Sequence, residues 1–321
     1  MSNTAIPFSS DASVFQNRPP RFAVLLAAFN GAQWIEGQLK SILRQEGVQV
    51  DIFVSIDLSS DNTLSIVRDI CDSEGCIHVL DYGERFGRAS RNFFRIFRDI
   101  DFSKFDFVSL ADQDDIWLSN KLLLASHMLS KSGAAAYSSN VTAFWPDGRQ
   151  TLIKKSQMQE QWDFLFEAAG PGCTYVISKE LACAVQDLVR SCWDQVQQVG
   201  FHDWFIYAFA RANGYKWVID DFPRMLYRQH ANNEVGANIG WRAFSYRIKR
   251  VLSGWGLKQS TLIAHLVGLE GCALVQRWFD GSRLGMFSLA CHSWKCRRRL
   301  RDKFLFALSC LAMFIVGNRP S

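Results

Sequence analysis

The chain has 321 residues, 48% hydrophobic and 21% charged, enough for one large domain or one domain plus an appendage and too apolar for a disordered chain. Its net charge of +5 is uneven: residues 241–321 hold 14 Lys and Arg against 3 Asp and Glu, roughly +11, which leaves 22 basic and 28 acidic residues, about −6, for the rest. An acidic body with a basic tail is a poor profile for a general nucleic-acid binder and suits a body held at an anionic surface by its C-terminus.

Nine cysteines, an odd number without a CxxC pair, argue against a zinc framework or a dense disulfide scaffold and for reduced thiols in the cytoplasm. Eleven tryptophans and a 13% aromatic share fit a thick core, a stacking site or a membrane-facing surface, and composition does not choose among them. Residues 1–20 are polar at the start, lack a signal-peptide core and read as a mobile leader.

"RFAVLLAAFN" (21–30) is an apolar run of strand length that ends on the turn signal Asn30-Gly31. The helical spacing of Trp34, Ile35, Leu39, Ile42 and Leu43 follows. "VDIFVSIDLSSDNT" is a second buried strand closing on an Asp/Ser loop, and Asp61 or Asn62 is placed to cap the next helix. "CIHVLD" is a short third strand, "RASRNFFRIFRDI" a basic amphipathic helix and "FDFVSLAD" a fourth strand. Alternating strands and helices predict an α/β fold with a mostly parallel central sheet, in which ligands bind beyond the C-terminal strand ends. Those ends carry Asn30, Asp57 and the run Asp112 to Asp115.

Neither GxGxxG nor GxxxxGK[ST] follows any of these strands, so a bound phosphate needs another counter-charge. "DQDD" (112–115) crowds three carboxylates, which repel unless a cation sits among them, and hard divalent ions prefer oxygen ligands. The bland alternative is a solvated acidic turn ahead of the helix "NKLLLASHML". A haloacid-dehalogenase-like phosphohydrolase also opens on a strand and DxD, but Ile116 stands where that family has Thr or Val. "FHDWF" (201–205) sets His202 and Asp203 in an aromatic run; Asp203 is either a helix cap or a general base shielded by Trp204 and Phe201. "YRQHANN" (227–233) presents Arg228 for phosphate and His230 as an ordinary surface residue or a metal ligand.

Taken in order, "FAVLLAAFNGAQWIEGQLKSILRQ", "VSIDLSSDNT", "RFGRASRNFF", "LADQDDIWLSNKL", "HDWFIYAFARANGYKW" and "YRQHANNEVG" resemble the family-2 inverting glycosyltransferases, in particular the bacterial rhamnosyltransferase-like group. The resemblance spans about 21–240 and implies a GT-A fold with a basic, helical extension at 241–321. It implies a metal-dependent enzyme, with Mn2+ or Mg2+, that moves a sugar from a nucleotide-diphosphate donor to a hydroxyl of a surface-polysaccharide or lipid-linked glycan acceptor. Position by position, it puts Ala28, Phe29 and Asn30 in the nucleotide pocket, Asp57 at the base or ribose, Asp112 and Asp114 on metal and diphosphate, and Asp203 as base. His230 matches a late histidine that binds metal. Asp115, Trp117, His202 and Trp204 fall to supporting or acceptor roles, with Trp117 as a packing floor. "IDLSSD" departs from the family's D-D-G-S-x-D, since Ile56 and Leu58 replace Asp and Gly. A non-catalytic binding protein on the same fold is the alternative, although a pure binder needs no base.

The tail joins Arg297, Arg298, Arg299, Arg301 and Lys303 to the mostly apolar run 304–316. That run is short of the ~20 residues that span a bilayer. It suits either interfacial contact at the inner face of the cytoplasmic membrane or packing on protein.

Overall fold

The structure is a computed structural model that describes residues 18–230 and 254–316. The expected leader lies outside the described residues as far as 17, and so do Asn232, Asn233 and the 240/241 boundary. At the edge of the described chain, Arg18 grips Asp106 with two hydrogen bonds of 2.7 Å.

Strand and helix alternate through β1 (Arg21–Ala28), α1 (Ile35–Leu43), β2 (Gln49–Ile56), α2 (Thr63–Ser73), β3 (Ile77–Val79), α3 (Ala89–Asp99) and β4 (Phe107–Asp112). The chain continues through β5 (Ile116–Trp117), α4 (Lys121–Ser132), β6 (Ala136–Ser139), β7 (Val141–Phe144) and β8 (Gln150–Ile153). Next come β9 (Val176–Ser178), α5 (Lys179–Ser191), the short α6 (Trp193–Val196), α7 (His202–Ala212), β10 (Trp217–Asp220) and β11 (Met225–Arg228). The described C-terminal helices are α8 (Trp255–Leu266), α9 (Ala273–Phe279), α10 (Arg283–Cys291), α11 (Ser293–Cys296) and α12 (Leu300–Val316).

The main sheet has the order β10-β6-β9-β4-β1-β2-β3 and is parallel except at β9, which runs antiparallel to both neighbours. β1 shows why the sequence ran apolar without alternation. Ala23, Leu25 and Ala27 face one core with α3, α5 and α7, while Phe22, Val24, Leu26 and Ala28 face the other with α1. Both faces of this strand are dry.

Register sets the functional rim. Ala28 pairs with Ile56 and Ala27 with Asp112, so β1, β2 and β4 end level and their following loops emerge together. A second sheet, β5-β11-β7-β8, carries an antiparallel pair distant in sequence: Met225 faces Trp117 and Leu226 faces Ile116. That pairing carries the chain after β11 back to the acidic turn.

Helices α8 to α12 pack on the body: Trp278, Leu289, Cys296 and Cys310 belong to the same buried core as α3 and α7. Phe306 meets Phe166 at 4.8 Å between ring centres. The other side of α12 is open, with Phe304 52% and Ile315 73% exposed. The tail therefore packs on protein along one face and leaves an apolar face bare. No described helix is long and apolar enough to cross a membrane. All nine cysteines are free thiols.

Candidate active site

One cavity of about 1570 Å³ opens at the rim where β1, β2 and β4 end. Its wall near β1 is made by Ala28, Phe29 and Asn30. Asn30 sits at φ 46°, a left-handed conformation that Asn tolerates better than bulkier residues. The loop is tied on both sides. Ser60 N donates to Asn30 Oδ1 at 2.8 Å and Asn30 N donates to Ser59 Oγ at 3.0 Å. Phe29 N donates to Gln113 Oε1 at 2.8 Å, and Gln113 Nε2 returns a bond to Phe29 O at 2.9 Å. A side chain at Gly31 would fall 2.1 Å from Gln113 Oε1, so glycine makes room for this clasp.

Asp57 lines the cavity but is only 4% exposed. Its carboxylate accepts from Leu58 N at 2.8 Å, Phe86 N at 2.9 Å and Gly87 N at 2.7 Å. It thus holds the loop that brings Arg85, Gly87 and Arg88 to the same wall.

The acidic turn divides its three carboxylates. Asp112 and Asp114 line the cavity, while Asp115 is 1% exposed and lies behind them. Asp114 Oδ2 is 2.7 Å from His230 Nε2, and His230 stacks on Trp34 at 4.1 Å between ring centres. Arg228 Nε donates to Asp114 O at 2.7 Å, Arg228 N donates to Asp115 Oδ1 at 3.1 Å, and the Arg228 guanidinium lies 4.6 Å from the Phe144 ring centre.

Asp112, Asp115 and Cys173 bring their potential ligand atoms within 4.8 Å, a grouping different from the Asp112–Asp114 pair expected from D-x-D spacing. Burial, then the charges of Asp114 and Asp112, raises the Asp115 carboxyl well above the usual range, and burial likewise raises the Cys173 thiol. Beneath the turn, Trp117 is 3% exposed with the buried Lys121 ammonium 3.4 Å over its ring. Burial lowers Lys121 to about 7, opposed by Cys173 and Asp115.

Across the cavity stands the start of α7. Asp203 lines the cavity and accepts from Trp204 N at 2.7 Å. Trp204 donates its indole N–H to Phe164 O at 2.8 Å. His202 stacks on Phe93 at 3.9 Å, and burial pushes its imidazole down to about 3. Residues 170–172 press close: a Cβ at Gly172 would lie 2.8 Å from His202 Nε2 and 3.1 Å from Asp203 Cβ.

The structure therefore gathers Ala28, Phe29, Asn30, Asp57, Asp112, Asp114, Asp203, Trp204, His202 and His230 around one cavity, with Arg228, Asp115 and Trp117 behind the acidic turn. Sequence reading missed Trp34, Gln113 and Cys173. Trp34 reads in the sequence only as one position of a helical spacing, and nothing in the chain marks Gln113 or Cys173 as partners of distant loops.

Comparison with known proteins accords with this architecture. The sequence profile of glycosyl transferase family 2 matches residues 23–175. The dTDP-rhamnosyl transferase RfbG of Shigella flexneri is 43% identical over 284 residues, covering 88% of this chain and 98% of that protein. A glucosyltransferase of Escherichia coli, the UDP-Glc:alpha-D-GlcNAc-diphosphoundecaprenol beta-1,3-glucosyltransferase WfgD, is 22% identical over 157 residues, covering 48% of this chain and 58% of that protein. Among solved structures, S. aureus TarS 1-349 aligns with a TM-score of 0.55 at 14% identity, covering 92% of this chain and 81% of that one. The same protein in complex with UDP gives 0.53 at 12% identity, covering 94% and 93%. The fold is that of the GT-A glycosyltransferases, an α/β sheet with C-terminal helices. The chain belongs to glycosyl transferase family 2 and is a glycosyltransferase.

Proposed function

We propose that the enzyme transfers rhamnose from dTDP-rhamnose to a hydroxyl of a growing surface glycan, by a single displacement that inverts the anomeric carbon. The observation that carries this reading is one cavity with a carboxylate–imidazole cluster on one wall and Asp203 on another. The donor is proposed from the 43% identity to RfbG over nearly its whole length.

In this reading Ala28, Phe29 and Asn30 seat the nucleoside, with Asp57 shaping the loop beside it. Two carboxylates and an imidazole, all bordering the cavity, are a donor set that suits a hard divalent cation. Asp112, Asp114 and His230 would hold Mn2+ or Mg2+, which neutralises charge on the leaving diphosphate. Asp115 and Cys173 are buried behind the turn and do not line the cavity, which makes them less suited to that role. Asp203 removes the proton from the acceptor hydroxyl as its oxygen forms the new bond to the anomeric carbon. The bond from that carbon to the diphosphate oxygen breaks, its electron pair leaving with dTDP.

Work at the inner face of the cytoplasmic membrane belongs to the same reading, supported by the bare apolar face of α12 and the basic cluster at its start. Incubation with dTDP-rhamnose, a divalent metal and glycan acceptors tests the proposal. Release of dTDP together with an acceptor one rhamnose heavier supports it. Release of UDP from a UDP-sugar, with dTDP-rhamnose left intact, contradicts the donor.

A further inference from the structure

The cavity does not end at Asp203. It continues past residues 170–172 to Lys155 and to the basic start of α12. A Cβ at Gly170 would lie 3.6 Å from the Lys155 stem, while Gly172 abuts Asp203. Only Pro171 lies between Gly170 and Gly172, so the stems of Lys155 and Asp203 stand no more than about 15 Å apart. That span holds at most about two sugar residues.

The cations at this end are unequally committed. Arg298 lies 3.6 Å from both Asp163 and Glu167 and donates to Ala168 O at 2.5 Å. Arg297 donates to Phe166 O at 2.9 Å and lies 3.7 Å from Glu167. Arg301 lies 3.2 Å from Asp302. Arg299 donates to the Lys154 carbonyl and has no carboxylate partner among the described residues. The half-buried Lys155 lines the cavity, and its ammonium has no hydrogen-bond or ion-pair partner among the described residues.

A half-buried ammonium with no carboxylate in ion-pair contact is costly. Burial is the largest influence lowering Lys155, to about 8; Arg299, Arg298 and Arg297 push the same way, and Glu167 opposes them. An anion in this recess would relieve both effects.

We propose that Lys155 and Arg299 form a phosphate subsite for the acceptor, across residues 170–172 from Asp203. The assignment rests on reading Asp203 as the acceptor-side base. Phosphate chemistry suits two neighbouring cations, one a point charge and one a planar fork. Beyond them, Leu305 and Leu308 of α12 line the outer cavity and are 43% and 62% exposed. The phosphate therefore arrives either on an apolar chain lying along these leucines or on a polar glycan phosphodiester.

Calorimetric titration of the full chain with inorganic phosphate and with dodecyl phosphate tests the subsite, with dTDP in excess and again without it. The wild-type chain should bind at least one of the two with dTDP present. The Lys155→Gln, Arg299→Gln double variant should bind it about tenfold or more weakly, while Lys155→Arg keeps the affinity. Affinity for dTDP, within about twofold of wild type in the variants, shows that the fold is intact. Dodecyl phosphate binding more than about tenfold tighter than inorganic phosphate assigns an apolar carrier; equal binding assigns a polar phosphodiester. Wild-type affinity in the double variant, or no binding to the wild-type chain, overturns the subsite. Absence of dTDP binding, with the phosphate effect intact, overturns the donor reading instead.

Discussion

Asp114 and His230 stand 116 positions apart in sequence, and their carboxylate oxygen and ring nitrogen are 2.7 Å apart. The β5–β11 pairing brings them together, and the Trp34 ring fixes the plane of the imidazole. Replacing His230 with Ala removes one proposed metal ligand and exposes the Trp34 face. Transfer is expected to fall on the order of 10–100-fold, with half-activation shifted to higher Mn2+. A Mn2+ titration of the initial rate checks this. An unchanged half-activation concentration separates His230 from the metal.

His202 gives a pH signature. Its imidazole is pushed down to about 3 by burial, from an ordinary 6.5. Above pH 6.5 both folded and unfolded chains keep it neutral. Below that, the unfolded chain takes up a proton that the folded chain refuses until about pH 3. Stability is therefore lost as pH falls through this window, by about 1 kcal/mol per pH unit from this group. His202→Gln lacks that loss, so its stability deficit relative to wild type should narrow between about pH 7 and about pH 5. Urea unfolding at the two values checks it, and a constant deficit contradicts the assignment.

Gly172→Ala should damage catalysis more than donor binding. The new methyl group meets His202, which is stacked on Phe93 and only 9% exposed and so has nowhere to retreat. Overpacking of this kind costs about 1–3 kcal/mol. Asp203, at 3.1 Å on the other side, is displaced with it. A lowered kcat with nearly unchanged dTDP affinity is expected; wild-type kcat contradicts the placement of Asp203.

Much of this site was legible because β1, β2 and β4 are parallel strands whose polar ends follow long apolar runs. Asp57 and Asp112 stood out for that reason. Their partners did not. Asp57 is held by the N–H groups of Phe86 and Gly87, from a stretch with no periodicity. β9, β10 and β11 have three or four residues each, too few for a pattern. β6 and β7 are a single run of strand-like sequence broken at Asn140, whose side chain accepts from Lys155 N and Ser156 N. Spacing along the chain gave Asp112 and Asp114 as a pair. It could not show that Asp115 turns inward toward Cys173 or that Lys121 lies beneath.

The bare face of α12 should contact anionic bilayers. Phe304, packed on Trp294 at 4.9 Å, and Ile315 are exposed on the helix whose first turn carries the exposed Arg301. Burying one large apolar side chain contributes about 1.5–3 kcal/mol. Phe304→Ser with Ile315→Ser should therefore weaken flotation with anionic liposomes about tenfold or more, and added salt should weaken it further. Equal flotation of variant and wild type contradicts peripheral contact through this face.

The role of Asp203 is the central claim, and Asp203→Asn tests it while keeping the volume and a hydrogen-bond acceptor for Trp204 N. Single-turnover transfer from dTDP-rhamnose, measured beside dTDP affinity, should show transfer reduced on the order of 10²–10⁴-fold with affinity nearly unchanged. Transfer at the wild-type rate would contradict the account.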